Sequence, residues 1–139
     1  MTEQERQKSA CEILASHFPV WSFVGFYDFR EPDGDKFKPD TIYIGEYVSE
    51  SIFPCGEIKL GKGQCGLCAE KKETLITYNT KECDNYIACD ADTQSEIVVP
   101  CFGPDGSVKS VFDLDSPELG TFDETDKEWL EKIMKMVYP

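Results

Sequence analysis

The 139-residue chain predicts an α+β domain in which a central antiparallel sheet is flanked by an N-terminal and a C-terminal helix. Three observations carry that reading. Each end shows Thr and Glu at capping-box spacing, with apolar residues recurring every three or four positions around it. Residues 20–29 (VWSFVGFYDF) are almost continuously apolar, as suits a strand buried on both faces. Towards the C-terminus, two apolar runs are separated by Gly103-Pro-Asp-Gly106, whose proline and glycines favour chain reversal.

In order, Thr2-Glu-Gln-Glu5 opens the first helix, with Ala10, Ile13, Leu14 and Phe18 as its apolar stripe and Pro19 as its stop. After the strand at 20–29, the turn chemistry of residues 31–35 (EPDGD) leads to a second strand within 40–48 (DTIYIGEYV), its antiparallel hairpin partner. Gly61-Lys-Gly63 then turns into a short helix carrying Cys65-Gly-Leu-Cys68, and residues 74–78 form a short strand. The polar segment 79–94 has no clear period and holds Cys83 and Cys89; loops of this length in compact domains usually serve function. Residues 95–102 and 107–115 make the last hairpin. Thr121-Phe-Asp-Glu124 opens the final helix, whose mostly apolar stripe is Phe122, Asp126, Trp129, Leu130, Ile133 and Val137. One domain spanning residues 1–139 is expected, because a chain of this length buries roughly two thirds of its unfolded surface.

Lys plus Arg total 14 and Asp plus Glu 27, a formal charge of −13. Such a surface repels phosphate backbones and anionic lipid, so neither nucleic acid nor membrane is an expected partner. No apolar run approaches the ~18 residues that a membrane span requires, and the start is too polar for a signal peptide, so a cytoplasmic location is expected. The seven cysteines are odd in number and lie in a chain large enough to hold a core, which argues against a disulfide scaffold. In a reducing compartment, thiols are packing residues, metal ligands or redox nucleophiles.

Asp113 and Asp115 lie two apart on one strand and so share a face, and Glu96 is a third acid on the neighbouring strand. If they converge beside the Cys89 segment, repulsion and burial keep at least one protonated and able to donate; otherwise they are solvated strand ends. Asp90, Asp92 and Glu96 would raise the Cys89 thiol pKa, so that cysteine needs outside activation. His17, the only histidine, lies in a helix and suits a structural role, which argues against Cys-His hydrolysis. Attack by a thiol while an acid protonates the substrate fits this site better. Zinc held by Cys65, Cys68, Cys83 and Cys89 is disfavoured, because the second pair is widely spaced and the first opens a helix; no metal is expected. Cys11, Cys68, Cys83 and Cys101 read as packing residues. Gly61-Lys-Gly63 lacks the ending of a phosphate loop.

Ordered motifs go further. Val24-Gly-Phe-Tyr27, Cys55, Cys65 in Gly61-Lys-Gly-Gln-Cys-Gly66, Cys89 in Ile87-Ala-Cys-Asp90, Ser95-Glu-Ile-Val-Val-Pro100 and Asp113-Leu-Asp-Ser116 follow one another as in the free methionine-(R)-sulfoxide reductases, a family with a GAF-type fold. The chain resembles that family from Phe23 to about Val137. The resemblance implies that Cys89 attacks the sulfur of free methionine (R)-sulfoxide and that Cys55 and Cys65 are recycling cysteines. It implies too that thioredoxin is the external reductant and that no cofactor is bound. By the same resemblance, Glu96, Asp113 and Asp115 bind the sulfoxide oxygen and the substrate ammonium, and Tyr27 walls the pocket. Phe23 stands where the family usually carries Trp, which reshapes the methyl pocket. A homodimer stays open. The rival readings are a GAF-type ligand sensor without turnover and a zinc-stabilised interaction domain.

Overall fold

The computed structural model describes residues 1–50, 54–83 and 92–139. The most apolar run becomes β1 (Phe23–Phe29), and it sits at the centre of a six-stranded antiparallel sheet. Around it lie β2 (Thr41–Ser49), β3 (Glu57–Lys59), β4 (Leu75–Thr77), β5 (Ser95–Phe102) and β6 (Val108–Ser116), in the order β3-β2-β1-β6-β5-β4. Helices α1 (Glu3–His17) and α3 (Glu124–Val137) pack on one face of the sheet, and α2 (Gly63–Lys71) lies on the other.

Because side chains alternate along a strand, β1 feeds two cores. Val24 and Phe26 point towards α1 and α3, whereas Phe23 and Tyr27 point towards α2. Phe26 is fully buried against Phe112, with ring centroids 4.5 Å apart. Burying such a side chain stabilises the fold by about 1.5–3 kcal/mol. This two-sided burial is why the run lacks the polar alternation of a surface strand.

The first capping box forms as expected: the Thr2 hydroxyl accepts from Glu5 N, and Glu5 accepts from Thr2 N. The buried face of α1 differs from the expected stripe, since Gln7, Cys11 and Leu14 point inward while Ile13 is 57% and Phe18 43% exposed. A polar Gln is tolerated there because it is satisfied. Its Nε2 donates to Asp28 Oδ1 (2.8 Å) and Tyr138 Oη (2.7 Å), and its Oε1 accepts from Glu46 N (3.3 Å). Phe18 instead stacks on Trp21 at 4.2 Å. His17 is exposed and its Nδ1 lies 2.8 Å from Ile13 O, a structural role.

The last helix starts later than its expected capping box. Asp123, not Thr121, is the N-cap: its Oδ1 accepts from Thr125 N (2.9 Å) and Asp126 N (3.2 Å), while Asp126 accepts from Asp123 N. Thr121 Oγ1 is instead 2.6 Å from Ser116 Oγ. Leu130 and Val137 of the expected stripe are buried together with Met134, whereas Trp129 is 60% exposed. The short strand β3 and a 3₁₀ turn at Thr80–Glu82 were not expected, being too brief to show a period. Among the described residues, no helix is long and apolar enough to cross a membrane.

Candidate active site

Strand register assembles the site. Glu96 on β5 lies opposite Asp115 on β6, which lies opposite Phe23 on β1; one row along, Val98, Asp113 and Gly25 are aligned in the same way. Alternation sends Glu96, Asp113, Asp115, Phe23 and Tyr27 to the face that α2 covers. From above, α2 lowers Cys65 onto them. One ligand atom from each of Cys65, Glu96 and Asp113 lies within 4.8 Å of the others. Each of these residues is about 5% exposed or less, while Asp115 is half-buried. The acids thus converge at one end of β1, β6 and β5, where Glu96 and Asp113 are buried rather than solvated.

Crowding sets their protonation. Burial first, and then the Asp113 charge, pushes the Glu96 carboxyl well above the usual carboxylate range. Asp113 is raised by burial and then by Asp115. Both carboxyls are thus pushed towards holding a proton, because the neutral form relieves desolvation and repulsion alike. Cys65 is pushed up by burial and then by Asp113, Glu96 and Asp115, which makes it a poor resting nucleophile. Tyr27 is raised for similar reasons and stays a neutral phenol.

Aromatic rings wall one side. Phe23 stacks near Tyr27 (6.4 Å between centroids) and near Tyr47 (5.9 Å). The space for this comes from Gly25, where a Cβ would lie 2.6 Å from Tyr47 Cβ and 2.7 Å from the Phe23 ring. Tyr47 was not singled out from sequence, although a glycine in a central strand signals a close approach of this kind. A polar link was also missed: Gln64 Nε2 donates to Thr77 Oγ1 (2.8 Å) and Gln64 Oε1 accepts from Cys83 Sγ (3.3 Å). Thr77 lies opposite Glu96, so this link ties the start of α2 to the acid row.

Helical spacing separates the two cysteines of Cys65-Gly-Leu-Cys68. Cys65 faces the acids, whereas Cys68 Sγ donates to Val98 O (3.7 Å) and is fully buried. Gly66 lets α2 press on β3, because a Cβ there would collide with Lys59 O. Cys11 and Cys101 are likewise buried free thiols, and Cys83 is free and half-buried. Cys55 is disulfide-bonded. Cys89 and the Ile87-Ala-Cys-Asp90 run lie outside the described residues.

Comparison with known proteins agrees with this architecture. The family model described as "GAF domain" matches residues 1–136. The chain is 40% identical over 116 residues to the free methionine-R-sulfoxide reductase of Saccharomyces cerevisiae, covering 84% of this chain and 61% of that protein. It is 30% identical over 113 residues to the Escherichia coli protein of the same name, covering 81% of this chain and 62% of the relative. The X-ray structure of free methionine-R-sulfoxide reductase from Neisseria meningitidis, in complex with its substrate, superposes with a TM-score of 0.86. The identity is 30%, and the match covers 98% of this chain and 75% of that one. The chain is a GAF-domain protein of the free methionine-R-sulfoxide reductase family.

Proposed function

We propose that the protein reduces free methionine (R)-sulfoxide to methionine. The observation that carries this reading is the convergence of three acids, two of them with raised carboxyl pKa values, with an aromatic wall on one face of the sheet. In the proposed reaction the Cys89 sulfur attacks the sulfoxide sulfur while a carboxyl proton passes to the oxygen. As the S–O bond breaks the oxygen passes to the Cys89 sulfur, methionine leaves, Cys89 becomes a sulfenic acid, and the thiol proton restores the carboxyl. Cys55 then attacks that sulfenic acid, water leaves and a disulfide forms. Thioredoxin reduces the disulfide and is itself oxidised. Support for Cys55 as the resolving thiol comes from its disulfide-bonded state, while Cys65 is a free thiol held proton-bearing among the acids.

The carboxyls serve twice in this scheme. One protonates the departing oxygen, and the ionised ones pair with the substrate ammonium. A site that grips an α-ammonium leaves no room for a preceding residue, so peptide sulfoxides are poor substrates. Phe23, Tyr27 and Tyr47 take the S-methyl end, where sulfur-aromatic contacts contribute about 0.3–1.5 kcal/mol.

The test follows NADPH oxidation with thioredoxin and its reductase on free methionine (R)-sulfoxide, the (S) epimer and a peptide sulfoxide. Turnover on the free (R) form alone is expected. Absence of that turnover sinks the proposal, and binding without turnover would indicate a sensor. Cys89→Ser abolishes methionine formation, whereas Cys55→Ser gives one stoichiometric turnover and then stalls. If Cys55→Ser cycles normally, another thiol resolves the sulfenic acid.

A further inference from the structure

Cys65, Glu96 and Asp113 form the one group of three metal-ligating side chains found among the described residues, and all three are buried. Asp113 Oδ1 is buried without a hydrogen-bond partner, although Asp113 is only 5% exposed. No ion pair among the described residues reaches Glu96 or Asp113. An acceptor-rich pocket with an orphaned oxygen is a poor place for water-starved carboxyls and a good one for a cation.

The thiol decides which cation. Sulfur ligation disfavours Mg²⁺ and Ca²⁺, which take oxygen donors, and favours the borderline-soft ions. Around a tetrahedral Zn²⁺, with Zn–S about 2.3 Å and Zn–O about 2.0–2.2 Å, donor atoms sit roughly 3.3–3.6 Å apart. The present cluster, within 4.8 Å, reaches that spacing by side-chain rotation of about 1 Å. Asp115, in the same row as Glu96, stands beside the cluster.

We propose that in the reduced protein Cys65, Glu96 and Asp113 bind a borderline-soft divalent cation, Zn²⁺ foremost, and that this cation excludes the sulfoxide from the site. This ligand set differs from the cysteine quartet weighed from sequence. Coordination expels the Cys65 thiol proton and the carboxyl proton to solvent, with no change of oxidation state. Substrate ammonium and metal then compete for the same carboxylates, and the carboxyl that would protonate the sulfoxide oxygen is lost to the metal. The exclusion half of the proposal rests on the reductase reading; the binding half does not.

Reduced, desalted full-length protein is titrated with Co²⁺ alone, reading the thiolate-to-cobalt charge-transfer band, and then with Zn²⁺ in competition. One equivalent is expected to saturate the band, and Zn²⁺ to displace it. Cys65→Ser abolishes the band, and Asp113→Asn weakens Zn²⁺ binding by tenfold or more (about 1.4 kcal/mol). A Cys55→Ser, Cys89→Ser double variant keeps the band, because those thiols are not the ligands. An undiminished band in Cys65→Ser, or its loss in the double variant, overturns the assignment. In a second arm, methionine formed in a single turnover is measured with and without one equivalent of Zn²⁺. Suppression that excess substrate or a chelator reverses is expected, and an unchanged yield overturns the exclusion. If no methionine forms even without zinc, the reductase reading has failed, and the cobalt band still decides the metal site.

Discussion

Asp113 is where stability and chemistry pull apart. Burial and neighbouring charge raise the carboxyl pKa values of Asp113 and Glu96 above those of the unfolded chain, so the folded protein holds more protons than the unfolded one. Their contribution is therefore fully present below the ordinary carboxylate range and is lost as pH rises through the raised values. Asp113→Asn removes one repelling charge. Its thermal midpoint is expected to fall less than that of the wild type between about pH 5 and pH 9 by scanning calorimetry. Its turnover of free methionine (R)-sulfoxide is expected to drop about a hundredfold or more. A variant as pH-sensitive as the wild type would refute the charge argument. Gly25 offers a second residue-scale test, since a methyl group there meets Tyr47 and the Phe23 ring at under 3 Å. Gly25→Ala is expected to lose about 1–3 kcal/mol in urea denaturation and to raise KM more than it lowers kcat, because it displaces the aromatic wall.

The elements were legible in proportion to the length of their pattern. The apolar run of β1, the two-residue alternation that puts Asp113 with Asp115, and the β5–β6 hairpin all read directly from local sequence. The start of α3 did not, because Thr121 and Asp123 both satisfy cap chemistry and only the tertiary bond of Thr121 to Ser116 decides between them. The difference is measurable. Asp123→Ala should cost about 1 kcal/mol of stability as a lost N-cap. Thr121→Ala loses only side-chain hydrogen bonds, leaves the α3 cap intact and should leave helical amide exchange at residues 125–126 unchanged. Tyr47 stayed hidden because its partner Phe23 lies on another strand, and Gln7 because its inward role depends on Asp28 and Tyr138. Contacts between distant segments leave little trace in a local period.

Across the whole molecule, a formal charge of −13 spreads repulsion over a small surface. Raising the ionic strength from about 0.01 to 0.15 M shortens the screening length from about 30 to 8 Å. The thermal midpoint should therefore rise with sodium chloride over that range; a fall would mean that attractive pairs dominate. The four ion pairs among the described residues involve partly exposed side chains, which points to repulsion as the larger effect. Strand alternation put Asp113 and Asp115 on one face, and the family resemblance named them with Glu96 as candidates, yet the sequence could not tell convergence from solvation. That distinction needed the pairing of β6 with both β1 and β5.

The pairing of Phe23 with Asp115 brings together residues from opposite ends of the chain. A ribosome adding about 5–20 residues per second makes β1 on the order of ten seconds before the strand that completes it. For that interval the nascent polypeptide carries a bare apolar β1 and no acid row. It is then a client for chaperones, and its thiols meet oxidants without the carboxyls that later govern them.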